Sequence, residues 1–359
     1  MKAARALTGA YEQWVAAAIP LDRDELADKH RELRTDRFRF LRGTYYLWLV
    51  RVLEEVPAVL DSARVPLVGD LHVENFGTWH DRRQVRRWGV NDLDELAVGP
   101  WQLDLLRLAT SAVLTPHIAL DDEVVCDTLL EAYATATPAL AVDLASESAH
   151  HLQALVPPLA DAKHFYDHLA AGSATDDLPA TVVAAAHRLA GPGWQPSWHV
   201  REAGTGSLGH RRRVGVGPAE DGRVHAREAK ELGPASAAWA GAEWVGSGHA
   251  DDPRLPVPAD GLYERVLRTI GGPEAVRVDG WQLRDLAPDV VRIELSGLGH
   301  KDAGRLLRSM AWACADVHAT DAEAAAVART EAAGLSEKEF RQRVASMVES
   351  VRSDFASYR

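Results

Sequence analysis

Apolar residues recur at helical spacing through FRFLRGTYYLWLVRVLEEVPAVL (38–60), interrupted only at Gly43 and Pro57, and predict a helical region over residues 1–63. VPLVGD (65–70) is instead a short apolar run that ends in Gly-Asp, the pattern of a buried strand feeding a loop. RRWGVNDLD (86–94) is a second strand candidate, preceded by a turn at Asp81-Arg82-Arg83. WQLDLLRLATSAVLTPHIAL (101–120) returns to helical spacing, which continues to about residue 190 with a break at Pro157-Pro158.

The pattern changes at GPGWQPSW (191–198), which reads as a linker or boundary. Strand signals then dominate to about 297. RRRVGV (211–216), the turn GPAEDG and VHAREAK (224–230) form a hairpin-like unit, and VRVDGWQLRDL (276–286) and DVVRIEL (289–295) read as a further strand pair. A helical stretch, PASAAWAGAEW (234–244), interrupts them. Helical spacing resumes in AGRLLRSMAWACADVHAT (303–320) and EKEFRQRVASMVESVRSDF (337–355). An α+β protein is expected, with a helical unit at 1–195, a β-rich unit at 196–298 and C-terminal helices at 299–359.

The chain's 359 residues suffice for such a plan and a large core. A formal net charge of −12 excludes a global electrostatic grip on nucleic acid. Cys126 and Cys314 are the only cysteines, so neither a disulfide framework nor a cysteine-rich metal site is expected. No apolar run has the length of a membrane span or a signal peptide, and a cytoplasmic protein without a membrane partner is expected. Oligomeric state is not readable.

The chemistry gathers in GDLHVENFG (69–77) and NDLDE (91–95). Singly, Asp70 reads as a turn residue, His72 as structural and NDLDE as a solvated acidic turn. Together, a carboxylate and a carboxamide five residues apart, followed by Asp92, Asp94 and Glu95, suit a hard cation such as Mg²⁺, which prefers oxygen ligands. GTGSLG (204–209) matches a glycine-rich phosphate loop, a weak signal alone. The strand-like halves that follow favour a covering hairpin over a dinucleotide-binding helix. Lys230 ends the second strand of that hairpin. Glu243 is its expected ion-pair partner, with Glu228 and Glu231 as rivals.

GDLHVENFG, NDLDE and GPWQLDLLRLATS resemble the phosphate-handling core of aminoglycoside phosphotransferases and protein-kinase-like enzymes. With FRFLRGTYY (38–46), GTGSLGHRR, AREAK and WQLRDLAPDVVRIEL, most of the chain resembles an uncharacterised bacterial family, domain of unknown function 2252. The kinase-like resemblance implies ATP and Mg²⁺ as cofactors, Asp70 as catalytic base with His72 in support, and Asn75, Asp92 and Asp94 toward the metal. It implies Gly204, Gly206, Ser207 and Gly209 over the phosphates, Lys230 holding them, and Asp104 and Arg107 bracing the catalytic loop.

Ordinary kinases place the glycine loop and lysine before the catalytic loop, whereas here they follow it by more than a hundred residues. A circularly permuted two-lobe fold resolves the order. Leu93-Asp94 stands where a protein kinase has Phe-Gly, which puts an activation-loop switch in doubt. The expected activity is phosphoryl transfer to a hydroxyl of a small-molecule acceptor. The alternatives are a pseudokinase or other nucleotide-binding regulator, an AMP-transferring enzyme and a metal-dependent hydrolase. The acidic balance suits a cationic acceptor. The run His210-Arg211-Arg212-Arg213 reads as an exposed hairpin edge, and Trp79, Trp88 and Trp101 as core residues or an acceptor pocket.

Overall fold

The computed structural model describes residues 3–201, 209–249 and 251–359. Four helices open the chain: α1 (Ala4–Ala16), α2 (Arg23–Glu32), α3 (Arg37–Gly43) and α4 (Tyr45–Glu55). Asp22 and Asp36 cap α2 and α3 by accepting first-turn N–H groups. Four short strands follow: β1 (Arg64–Leu67), β2 (Phe76–His80), β3 (Arg86–Val90) and β4 (Ala97–Pro100). Next come α5 (Gln102–Leu114), α6 (Asp122–Ala134), β5 (Val142–Asp143), α7 (His150–Gln153), α8 (Ala162–Leu169) and α9 (Ala180–Ala190). The strand-rich part holds β6 (Ser197–Val200), β7 (Arg212–Pro218), β8 (Val224–Glu231), α10 (Ser236–Gly246), α11 (Leu262–Ile270), β9 (Ala275–Val278) and β10 (Trp281–Leu286). Helices α12 (His300–His318), α13 (Ala322–Gly334) and α14 (Glu337–Tyr358) complete the α+β chain.

The helical core is built by stripes of apolar residues. On α14, Phe340, Val344, Met347, Val348, Val351 and Phe355 are buried along one stripe, three or four residues apart save for the adjacent pair Met347 and Val348. They pack with α4, where nine consecutive residues from Tyr45 to Leu53 are buried. Arg51 on α4 donates to both oxygens of Asp354 on α14, at 2.8 and 2.9 Å, so its buried charge is paired in the fork geometry. Two small sheets, β1-β4 and β2-β3-β5, lie on this body.

A five-stranded antiparallel sheet, in the order β6-β7-β8-β10-β9, forms the second unit. It has its own core, in which Val182, Ala185 and Ala186 of α9 meet Ala229, Trp281 and Leu283 of the sheet. Helices α8 and α9 therefore belong with the sheet, and the expected divide at 195/196 falls inside this unit. Trp194, in the stretch read as a linker, is 2% exposed in the same core. Conversely, α10 returns to the helical body, where Trp239 packs edge-on against Tyr11 and Tyr46.

The expected strand at DVVRIEL is corrected. β10 pairs with β9 across the Asp279-Gly280 turn, while residues 289–295 run irregularly over β2. Thr78 N–H donates to the Val291 carbonyl and Val291 N–H to the Thr78 hydroxyl, both at 2.9 Å, so these backbone groups are satisfied without a ladder. Helix α11 was not among the expected elements, although Leu262, Val266 and Ile270 bury one stripe of it.

Candidate active site

Two glycines force the acidic loops together. Gly69 has φ of 90°, and a Cβ there would lie 2.2 Å from the Glu95 carbonyl oxygen, so the Gly69-Asp70 turn packs directly onto the 91–95 loop. A Cβ on Gly77 would lie 2.2 Å from the Asn91 amide nitrogen. Asn91 N–H donates to the Asn75 carbonyl at 2.9 Å, which sets the end of β3 beside the 69–77 loop.

Asp104, fully buried in the first turn of α5, accepts Val68 N–H at 2.6 Å and Gly69 N–H at 2.9 Å. His318 Nε2, from the last residue of α12, lies 3.0 Å from the same carboxylate, and the Tyr133 hydroxyl is 2.6 Å from His318 Nδ1. Cys314 lies within this buried cluster. The Asp104 carboxylate is committed to the loop's N–H groups, so the cluster acts as a brace.

Arg107 is the second brace. It donates to Asp70 through Nε at 2.8 Å and also through Nη2, donates to the Leu41 carbonyl, and lies over the rings of Tyr45 and Trp48. Burial pushes the Asp70 carboxyl up, Arg107 draws it back, and Asp92 pushes it up again, leaving it above its ordinary value. His72 is buried, and burial followed by the fields of Arg42, Arg107 and Arg292 holds it well below the usual histidine range. Its Nδ1 accepts Glu74 N–H at 3.2 Å, which assigns the proton of the neutral ring to Nε2.

The oxygen donors face one space. Asn75 is 3% exposed, and its Oδ1 has no hydrogen-bond partner among the described residues; the same holds for Asp94 Oδ1. Burial raises the Asp92 carboxyl, but Lys230, Arg284, Arg212 and Arg292 more than offset this and keep it below the ordinary range, hence ionised. Buried oxygens without donors, beside an ionised carboxylate, suit a hard divalent cation.

Lys230 donates to Asp94. The expected pair with Glu243 is thus corrected: Glu243 accepts from Ser247 one turn along α10, Glu228 binds arginines, and Glu231 pairs with Arg211. Asp94 reaches the lysine because Arg277 of β9 donates to the Leu93 carbonyl at 2.9 Å and holds the loop under the sheet. Burial lowers Lys230 to about 8, with Asp92 opposing and Arg284 and Arg277 adding to the fall.

Gly204, Gly206 and Ser207 lie outside the described residues. Gly209 is anchored to the helical body, its N–H donating to Glu25 at 2.9 Å and its carbonyl accepting Asp22 N–H at 3.1 Å.

Asp70, His72, Asn75, Asp92, Asp94 and Lys230 line one cavity of about 370 Å³ between the helical body and the sheet. Among its described lining residues, seven basic side chains face four carboxylates. Lys29 and Arg42 come from the helices, Arg201, Arg212, Lys230 and Arg284 from the sheet side, and Arg292 from the strap that follows it. The basic run is therefore not an exposed edge. β7 is flanked by β6 and β8, Arg212 and His210 line the cavity, and Arg213 pairs with Asp177. Trp79, Trp88 and Trp101 are core, at 2%, 0% and 0% exposure; the aromatic lining is Tyr11, Tyr45 and Tyr46. The one signal for Arg284 was its alternation with apolar residues in WQLRDL, whereas Lys29 and Tyr11 carried none.

Glu95 ties the start of α10 to the helical body. Its carboxylate accepts Ser236 N–H at 2.8 Å and the Ser236 hydroxyl at 2.7 Å, capping α10 from outside the helix. Burial brings Glu95 up to about 7, against the lowering effect of the Ser236 bonds and with Asp70 and Asp92 adding to the rise. Because the folded chain then binds the proton more tightly than the unfolded chain, unfolding free energy should fall as pH rises from about 4.5 to about 7. In a chelator, Glu95→Gln should remove that part of the slope. Identical profiles for both proteins, from denaturant unfolding between these limits, would show that Glu95 does not titrate there.

No curated protein and no solved structure matches the chain. One family model does, over residues 21–157, less than half of the chain. The resemblance expected over most of the sequence is thus supported for α2 through the residues just past α7, and not for the glycine segment or Lys230. Over the stretch that supplies Asp70, Asn75, Asp92, Asp104 and Arg107, the chain is similar to a family described as an uncharacterized protein conserved in bacteria (DUF2252).

Proposed function

We propose that the protein is an ATP- and Mg²⁺-dependent phosphotransferase of protein-kinase-like, circularly permuted architecture, acting on a hydroxyl of a small molecule. The observation that carries the reading is that Asp70, Asn75, Asp92 and Lys230, from both units, line one cavity rich in basic side chains. The order of elements supports it: in sequence the glycine segment falls between the sheet's first and second strands, and Lys230 lies near the end of the third, where kinases carry the phosphate lysine. The permutation is supported by α12, whose last residue meets Asp104 beside the loop that such a helix would normally enter.

Asn75, Asp92 and Asp94 would hold Mg²⁺, which when bound would neutralise charge on the transferring phosphate. Arg107 fixes Asp70 for the acceptor hydroxyl. Asp70 takes that proton as the hydroxyl oxygen bonds to the γ-phosphorus, and ADP leaves with the electron pair of the broken bridging bond. Lys230 exchanges Asp94 for phosphate oxygens, so the rate derives chiefly from positioning and charge.

Mg·ATP at a hundredfold excess over its Kd should stabilise the protein by about 2.7 kcal/mol, read as a rise in the thermal midpoint that requires Mg²⁺. Asp92→Asn should abolish the Mg²⁺-dependent rise and nucleotide turnover without lowering the midpoint of the free protein. Absence of any shift at saturating nucleotide would overturn the assignment and favour a metal-dependent hydrolase.

A further inference from the structure

Among the described lining residues, the positive charge of the cavity is concentrated on the sheet side. Arg201, Arg212 and Arg284 all donate to the single carboxylate of Glu228, with Arg212 at 3.0 Å and Arg284 at 2.6 Å. The register explains the convergence. Glu228 and Lys230 alternate on one face of β8, Arg212 sits opposite Lys230 on β7, and Arg284 sits opposite Glu228 on β10. Glu228 is 1% exposed, whereas Arg284 and Arg201 keep 30% and 29% of their side chains accessible and line the cavity. The carboxylate is covered by guanidinium groups whose outer edges face the open space. Arg292 adds a fourth guanidinium.

Burial, then repulsion from Arg284, Arg212 and Arg292, brings Arg201 down to about 10, still charged at neutral pH. A cluster in this state gains by receiving an anion. It adjoins the donor-phosphate apparatus, whose Asp92 lies in the field of Arg284, Arg212 and Arg292, but its guanidinium groups bond to Glu228. It also opposes a cationic acceptor, which the overall charge of −12 had favoured. The local field, not the net charge, decides what enters a cleft.

Resting on the phosphotransferase reading of the cleft, we propose that the acceptor is itself an anion, a small hydroxylated molecule bearing a phosphate or carboxylate group that Arg201, Arg284 and Arg292 bind beside Glu228. The carboxylate spaces the guanidinium groups into a fixed cradle, so the acceptor's anionic group is held while its hydroxyl lies toward Asp70.

The test is a titration with inorganic phosphate, followed by the thermal midpoint, in the presence of a saturating non-hydrolysable Mg·ATP analogue. Phosphate should raise the midpoint further, and Arg284→Gln should weaken that second binding at least tenfold while leaving the analogue's own shift intact. Arg201→Gln provides the same reading should Arg284→Gln fail to fold. Competition between phosphate and the analogue, or no second shift, would overturn the inference, since the arginines would then serve the donor alone. If the analogue gives no shift, the phosphotransferase reading fails separately. Phosphate binding lost in Arg284→Gln would then still support an anion site at these arginines, and its absence would overturn it.

Discussion

Asp104→Ala is expected to lower the unfolding free energy by roughly 2–6 kcal/mol, because it strips the acceptor from two buried backbone donors at about 1–3 kcal/mol each. Those donors, Val68 N–H and Gly69 N–H, lie at 2.6 and 2.9 Å from the carboxylate in a region from which water is excluded. No neighbour can take over, since the His318 ring presents a donor to the same carboxylate and the Tyr133 hydroxyl occupies its other nitrogen. Against a typical total of roughly 5–15 kcal/mol, the loss would be visible in any denaturant titration. Asp104→Asn keeps one carbonyl oxygen and should show about half the effect. A loss below about 1 kcal/mol for the alanine variant would mean that the turn finds other partners, and that Asp104 is not what holds the Gly69-Asp70 turn.

The same residues show what could be read along the chain and what could not. Gly69-Asp70 and Asn91 to Glu95 were legible because a buried strand that ends in Gly-Asp and an acidic run at a strand end are local patterns, although the contact that requires the glycine is with Glu95, in the second motif. The stripe on α14 and the lysine near the end of β8 were legible for the same reason. Pairings across the cleft were not. Lys230 prefers Asp94 to Glu243 because Arg277, 184 residues from Leu93 in sequence, draws the acidic loop under the sheet. The basic run at 210–213 was misjudged because whether a strand is an edge depends on its neighbours, and β6 covers β7. DVVRIEL has strand composition, yet its backbone bonds go to Thr78 on the other unit. The cationic character of the cavity arises from several separated segments, of which the run at 210–213 alone stands out in an acidic chain.

Asp70→Asn should reduce Mg·ATP turnover, measured as ADP release with water or an added anionic acceptor, by about 10²–10⁴-fold, the usual span for removal of a positioned general base. The amide keeps an oxygen for Arg107, so the fully buried guanidinium retains its partner and the fold is spared. Alanine at this position is a poorer probe, since an uncompensated buried arginine costs about 3–5 kcal/mol and confounds activity with stability. The stabilisation by Mg·ATP should persist in Asp70→Asn, because Asn75, Asp92, Asp94 and Lys230 are untouched. This combination separates the roles within the cleft. Loss of turnover with retained nucleotide binding assigns the proton to Asp70, whereas loss of both would place Asp70 among the metal ligands. Turnover within tenfold of the unmodified protein would remove it from the chemistry. Retained binding with lost turnover would also distinguish the protein from a pseudokinase, in which no single carboxylate governs a reaction rate.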